Sequence, residues 1–137
     1  MISRYSRKEL VDIWTEENKY KIWLSVEIAA AQAMEKLRYI PKGVSSTVKK
    51  KGKINVKRIH HIESKVKHDV IAFLTSITEK VGIKSRYLHQ GMTSSDILDT
   101  SFNIQLVQSG KILLKDIDQL LNILKKQAKK YKLTPCI

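Results

Sequence analysis

The sequence predicts an all-α protein, and three observations carry that prediction. Proline and glycine are scarce, two and five among 137 residues. Apolar residues recur mostly at spacings of three and four. Side chains that cap helices stand just ahead of the periodic stretches.

The elements follow in order. Ser6-Arg7-Lys8-Glu9 has the form of a capping box opening a short helix to about Trp14. Thr15 is the next N-cap, with Glu16 and Glu17 favourable in the first turn. The helix after it carries Ile22, Val26, Ala29, Ala30, Ala33, Met34 and Leu37 on one broad face, and its alanines permit close packing of another helix. Ile40-Pro41 ends it, because the residue before proline avoids the helical region. Pro41 opens a short helix to about Lys51, stopped by Gly52. Asn55 caps the next, with Val56, Ile59, Ile62 and Val66 as its stripe. A further helix runs from about Asp69 to Val81 with Gly82 as its stop, either separate from its predecessor or bent at Lys67-His68. Ile83 to Met92 reads as a loop.

From Ser95 to Tyr131 there is no proline, and Gly110 is a candidate bend. These 37 residues span about 56 Å as a helix. A compact domain of this size is roughly 37 Å across. The helix overshoots its own body. It is also apolar on more than one side, with Leu113, Ile117, Leu120 and Leu124 on the main stripe and Ile112, Leu114, Leu121 and Ile123 beside it. Such a helix requires partners on several faces. The end, Thr134-Pro135-Cys136-Ile137, lacks a polar tail and points the same way.

Composition excludes several classes. The lone Cys136 rules out a disulfide framework and a cysteine-based zinc site. No apolar run approaches the roughly 18 residues of a membrane span. Met1 to Arg7 is polar and basic, so no signal peptide is expected and the default compartment is cytoplasmic. The net charge of +13 suggests nucleic acid. Yet 21 of the 26 basic residues are lysines, spread along the chain and nearly devoid of interleaved aromatics. Arginine is the residue that reads phosphate and guanine bidentately. The charge reads mainly as solvated faces, and no nucleic-acid partner or membrane is expected. A basic helical nucleic-acid-binding module, or an oligomerisation module, is the alternative reading.

Three constellations can carry chemistry. His89-Gln90-Gly91-Met92-Thr93-Ser94-Ser95-Asp96 places hydroxyls at the start of the long helix, where free N–H groups can seat a carboxylate or phosphate. Thr93 and Asp96 have capping-box spacing, so a plain N-cap is the competing reading. Lys67-His68-Asp69 stands at a helix start and can donate hydrogen bonds to an anionic or purine ligand. Arg4-Tyr5 offers a cation and a phenol in the N-terminal arm. His60 and His61 are adjacent on a helix, point to different sides and make a poor metal pair, so no metal is expected. Trp14 and Trp23 read as core or interface anchors.

Together these residues resemble the N-terminal part of the adenylosuccinate lyase family, within the fumarase/aspartase superfamily. The matching stretches are Arg4-Tyr5-Ser6-Arg7, Ile13-Trp14, Glu17-Asn18, Ile40-Pro41-Lys42, His68 to Phe73 and His89 to Thr100. Lys19 and Lys67 stand where an arginine is often expected. The resemblance implies an N-terminal helical domain over residues 1–108 and, over 109–137, the first helix of a central helical bundle. It implies a cytoplasmic homotetramer of purine and AMP biosynthesis, without cofactor. Its chemistry is β-elimination of fumarate from adenylosuccinate or from succinyl-carboxamide ribotide.

By position, Arg4 and Tyr5 would hold the phosphate and ribose side of the nucleotide, and Lys67, His68 and Asp69 its pocket. His89, Gln90, Thr93 and Ser94 would contact the substrate, the hydroxyls near the succinyl group. Ser95 and Asp96 would shape the turn. The family's Gly-Arg-Ser/Thr-His-Gly segment, with the acid histidine, and its serine-rich loop, with the base, are absent from these residues. The expectation is therefore a fragment of a protein about three times longer, inactive alone, in which His68 and His89 are pocket residues and not by default the acid and base.

Overall fold

The structure is a computed structural model that describes residues 2–135; Met1, Cys136 and Ile137 lie outside them. A single-turn 3-10 helix, Ser3–Tyr5, leads into α1 (Lys8–Ile13) and α2 (Glu16–Lys36). Then come α3 (Val44–Lys51), α4 (Val56–Val66) and α5 (Asp69–Val81). A second 3-10 helix, Ile83–Tyr87, precedes α6 (Ser94–Tyr131). Among the described residues there is no strand, so the chain is all-α.

Two caps stand where the sequence puts them. Thr15 Oγ1 accepts the Asn18 N–H at 3.2 Å, and Asn55 Oδ1 accepts the Arg58 N–H at 3.0 Å. The capping box at Ser6 does not form. Its hydroxyl donates to the Ile2 carbonyl at 2.9 Å, inside the 3-10 turn, and Arg7 takes the N-cap position.

The buried face of α2 differs from the expected one. Tyr20, Trp23, Glu27 and Ala31 are buried, whereas Ala29, Ala33 and Leu37 are exposed. The aromatic pair decides this, because Tyr20 and Trp23 bury the most area. Tyr20 and Trp23 meet edge to face at 5.1 Å between centroids, Trp23 and Phe73 of α5 at 5.4 Å. Ile59, Ile77 and Ile97 close the core from α4, α5 and α6.

The helix α2 also stops short of Ile40-Pro41. Arg38 adopts a left-handed φ of 62°. The Tyr39 N–H then reaches the Met34 carbonyl at 2.9 Å and the Arg38 N–H the Glu35 carbonyl at 3.2 Å. This is a Schellman motif, with arginine where glycine is usual. Likewise α3 starts at Val44 and not at Pro41. Gly43 turns at φ 84°, and Glu35 Oε1 accepts the Ser45 N–H at 2.6 Å, so the end of α2 caps α3. These hydrogen bonds from Ser45 hold the Glu35 carboxyl below its usual range.

Lys67 and His68 separate α4 from α5: Lys67 is left-handed at φ 55° and His68 is extended. The stretch after Gly82 contains the second 3-10 helix where a plain loop is expected. The long α6 is one unbroken helix of 38 residues, about 57 Å, and Gly110 does not end it. It runs antiparallel to α2. Met92 and Asp96 lie with Ala29 and Ala30 at one end, and Asn18 reaches Gln108 at the other. Gln105 donates to the Ile13 carbonyl at 2.8 Å, and Trp14 Nε1 to Ser109 Oγ at 3.1 Å. Past that level Leu113, Ile117, Leu120 and Leu124 are each about half exposed. No helix among the described residues is long and apolar enough to cross a membrane.

Candidate active-site half

The best-ordered polar chemistry is at His89, in the turn that enters α6. His89 is left-handed at φ 59°, which costs a residue with a side chain about 1–3 kcal/mol. Its backbone N–H donates to Glu27 Oε2 at 2.9 Å, and its ring Nδ1 lies 2.8 Å from Glu27 Oε1. Glu27 is 1% exposed, so both contacts are shielded from water. An ionised carboxylate only accepts, so Nδ1 carries the proton in this contact. The ring is held at one edge, and Nε2 is the nitrogen left for a ligand.

Two residues on, Gly91 turns at φ 70° and delivers the chain to Thr93. Thr93 is the N-cap of α6, and its N–H donates to the Asp96 carboxylate at 2.8 Å. The Thr93 side chain faces the Asp96 N–H in return, so the expected capping box forms. No hydrogen bond among the described residues engages the hydroxyl of half-buried Ser94 or of exposed Ser95. The hydroxyls and the first-turn N–H groups of α6 share one end of the helix, where its dipole is positive. This arrangement suits an anionic oxygen. Gln90 is exposed, and its amide donates to the Arg86 carbonyl at 3.2 Å.

Lys67, His68 and Asp69 occupy the corner between α4 and α5. His68 is the N-cap of α5, and its Nδ1 accepts the Ile71 N–H at 3.4 Å. Asp69 Oδ1 lies 3.6 Å from the same nitrogen, and the His68 side chain is exposed. Asp69 Oδ1 accepts its neighbour's N–H, that of Val70, at 2.7 Å. Tyr20 lies beneath this corner, and burial, then Glu63, Glu16 and Asp69, push its phenol up to about 12.

Arg4 and Tyr5 stand apart. Both are exposed, and the Arg4 guanidinium lies 4.6 Å above the Tyr5 ring. Arg7 pairs with Asp116, 20 residues or about 30 Å along α6 from Asp96. The N-terminal turn and the hydroxyl turn therefore sit at different levels of the same helix. The candidate residues line open surface and no enclosed cavity. A hollow of about 630 Å³ lies between α2 and α3 and includes none of them. His60 and Lys67 border another of about 410 Å³. His60 is not merely solvated, since its Nε2 lies 2.9 Å from Glu16. Among the described residues no cluster of three or more histidine, cysteine or acidic side chains is placed to hold a metal.

The residue that sequence reasoning missed is Glu27. Its signal was present: it falls on the Tyr20, Trp23, Ala31 stripe, where an acid has no reason to be unless it is paired. The expected face, built from Ile22 and the alanines, turned it outward.

Residues 3–137 match the sequence model of a family described as lyase. The whole chain is 45% identical to an adenylosuccinate lyase of Thermotoga maritima and covers 32% of that protein. Among solved structures, a fumarate lyase from Mesorhizobium sp. BNC1 superposes with a TM-score of 0.84 at 18% identity. That match covers 92% of this chain and 30% of the other. A β-carboxy-cis,cis-muconate cycloisomerase from Acinetobacter calcoaceticus superposes with a TM-score of 0.79 at 22% identity, covering 90% and 31%. The two structures share the fold. The chain spans about a third of the length of each of these relatives.

Proposed function

Because the chain belongs to the lyase family that its residues 3–137 match, we propose that it is the N-terminal part of an adenylosuccinate lyase. The observation that carries this reading is the 45% identity to the Thermotoga maritima enzyme over all 137 residues, the His89 turn included. The reaction is a β-elimination. A base takes the proton beside a succinyl carboxylate, the carbanion is held as an aci-carboxylate, and the C–N bond breaks as an acid protonates the leaving nitrogen. The products are fumarate and either AMP or the carboxamide ribotide.

In this reading Thr93 and Ser94, with the N–H groups that open α6, seat a succinyl carboxylate. That role suits a helix end whose serine hydroxyls are free of internal partners. His89 and Gln90 border the same seat. Lys67, His68 and Asp69 line the nucleotide pocket. Arg4 and Tyr5 take the phosphate and ribose. Their separate level on α6 supports sites completed by other copies. His68 and His89 are pocket residues, and the acid and base come from segments beyond these 137 residues.

The enzyme is a cytoplasmic homotetramer of purine biosynthesis that uses no cofactor and binds no nucleic acid. Residues 1–108 form its N-terminal domain, and 109–137 begin its central bundle. The change from packed to half-exposed faces near Gln108 supports that boundary.

The test is complementation. The 137-residue chain alone should release no fumarate from adenylosuccinate. Mixed with Thermotoga maritima adenylosuccinate lyase inactivated at the residue that matches His68, it should restore release. Co-assembly without rescue would favour a mere oligomerisation module. A salt-dependent shift of nucleic-acid probes would favour the basic-module reading.

A further inference from the structure

We propose that Glu27 is a positioning residue for His89, fixing both its ring orientation and the nitrogen that carries the proton. This deepens the lyase reading and rests on it only where substrate is concerned. Three observations carry the proposal. Glu27 is 1% exposed on the core-facing stripe of α2, beside Trp23. A carboxylate in such a place is costly unless every oxygen is served. Both of its oxygens are spent on one residue, 62 positions away in sequence: Oε2 on the His89 N–H and Oε1 on its Nδ1.

That double contact does two separate things. The backbone half holds His89 in its left-handed turn, between α2 and the entry to α6. The ring half selects the tautomer, since a carboxylate has no proton to offer Nδ1. The neutral ring is then an Nδ1–H tautomer whose Nε2 lone pair has no hydrogen-bond partner among the described residues. Its ligand partner is accordingly a hydrogen-bond donor, a hydroxyl or an N–H, whenever the ring is neutral. A glutamine at position 27 would keep the shape but turn an NH₂ toward Nδ1. The tautomer would then invert, and Nε2 would become the protonated edge.

The experiment has two arms. In the first, the ring nitrogens of His89 in the 137-residue chain are read by ¹⁵N–¹H correlation at alkaline pH, where imidazole is neutral. The Nδ1–H tautomer is expected in the native chain and the Nε2–H tautomer in Glu27→Gln. A native Nε2–H tautomer overturns the proposal without recourse to any variant, so a variant that failed to fold would leave the decision intact. In the second arm, Glu27→Gln is placed in the full-length enzyme. The expected loss is about 10- to 100-fold in kcat/KM, the usual effect of removing a partner that orients a functional histidine. Unchanged kinetics together with an inverted tautomer would overturn the positioning role. If the native full-length protein released no fumarate at all, the lyase reading would fail, and the first arm would still decide what Glu27 does.

Discussion

Single side chains in this molecule are legible or illegible according to how local their partners are. Thr15 and Asn55 act on backbone N–H groups three residues away, so their capping roles follow from sequence. Ser6 is also a residue that favours N-caps and fails to cap, because a turn upstream takes its hydroxyl. The position of Glu27 on the aromatic stripe signals a paired acid, but its partner was illegible because it is 62 positions away. Tyr20 gives a test at this scale. Its phenol has an ordinary value of 10.0 and is pushed up to about 12 by burial, then by Glu63, Glu16 and Asp69. A folded-state value above the unfolded one leaves stability intact below about 10. The unfolded state then loses its proton first, so stability should fall as pH climbs from about 10 to 12. Denaturant midpoints across that window check this, and Tyr20→Phe should flatten the decline.

At the scale of elements, the helices were readable and their ends less so. The end of α2 escaped because a Schellman motif normally announces itself with glycine, and here Arg38 adopts the left-handed angle. The start of α3 escaped because its cap, Glu35, comes from another helix. For α6, Gly110 is the informative residue. It is helical, and a Cβ added there would meet nothing within 4 Å. Gly110→Ala should therefore stabilise the helix by about 1 kcal/mol, visible as a raised denaturant midpoint. A fall in stability would overturn the reading of Gly110 as an unstrained helical position with free space around it.

The whole molecule is a small packed body from which one helix projects. Leu120 and Leu124 are 55% and 54% exposed, and Leu113, Ile117 and Tyr131 continue the same stripe. Apolar surface of this extent favours burial against other helices. The chain should associate as its concentration rises in sedimentation velocity, and Leu120→Asp with Leu124→Asp should abolish that while leaving helix content intact. An unchanged sedimentation profile would show that the stripe does not drive assembly. The same scale separates the candidate site residues. The N-terminal turn engages α6 at Asp116 and the hydroxyl turn opens it at Ser94, so the two groups of candidate residues sit at separate levels of one helix.

The sequence by itself determined the all-α class, the long last helix, the break at Lys67-His68 as one of two readings, and the capping box of Thr93 and Asp96 at the entry to α6. All of these rest on short-range periodicity, capping geometry and residue type. Only the tertiary structure decided which face of α2 is inside: Tyr20 and Trp23 centre it, Ile22 of the expected face is buried with them, and Ala29, Ala33 and Leu37 are left exposed. It alone joined Glu27 to His89 and Glu35 to Ser45, since hydrogen bonds between helices depend on packing that no local pattern encodes. The charge of +13 and its spread along the chain were visible in the sequence, and the fold leaves most of those lysines exposed.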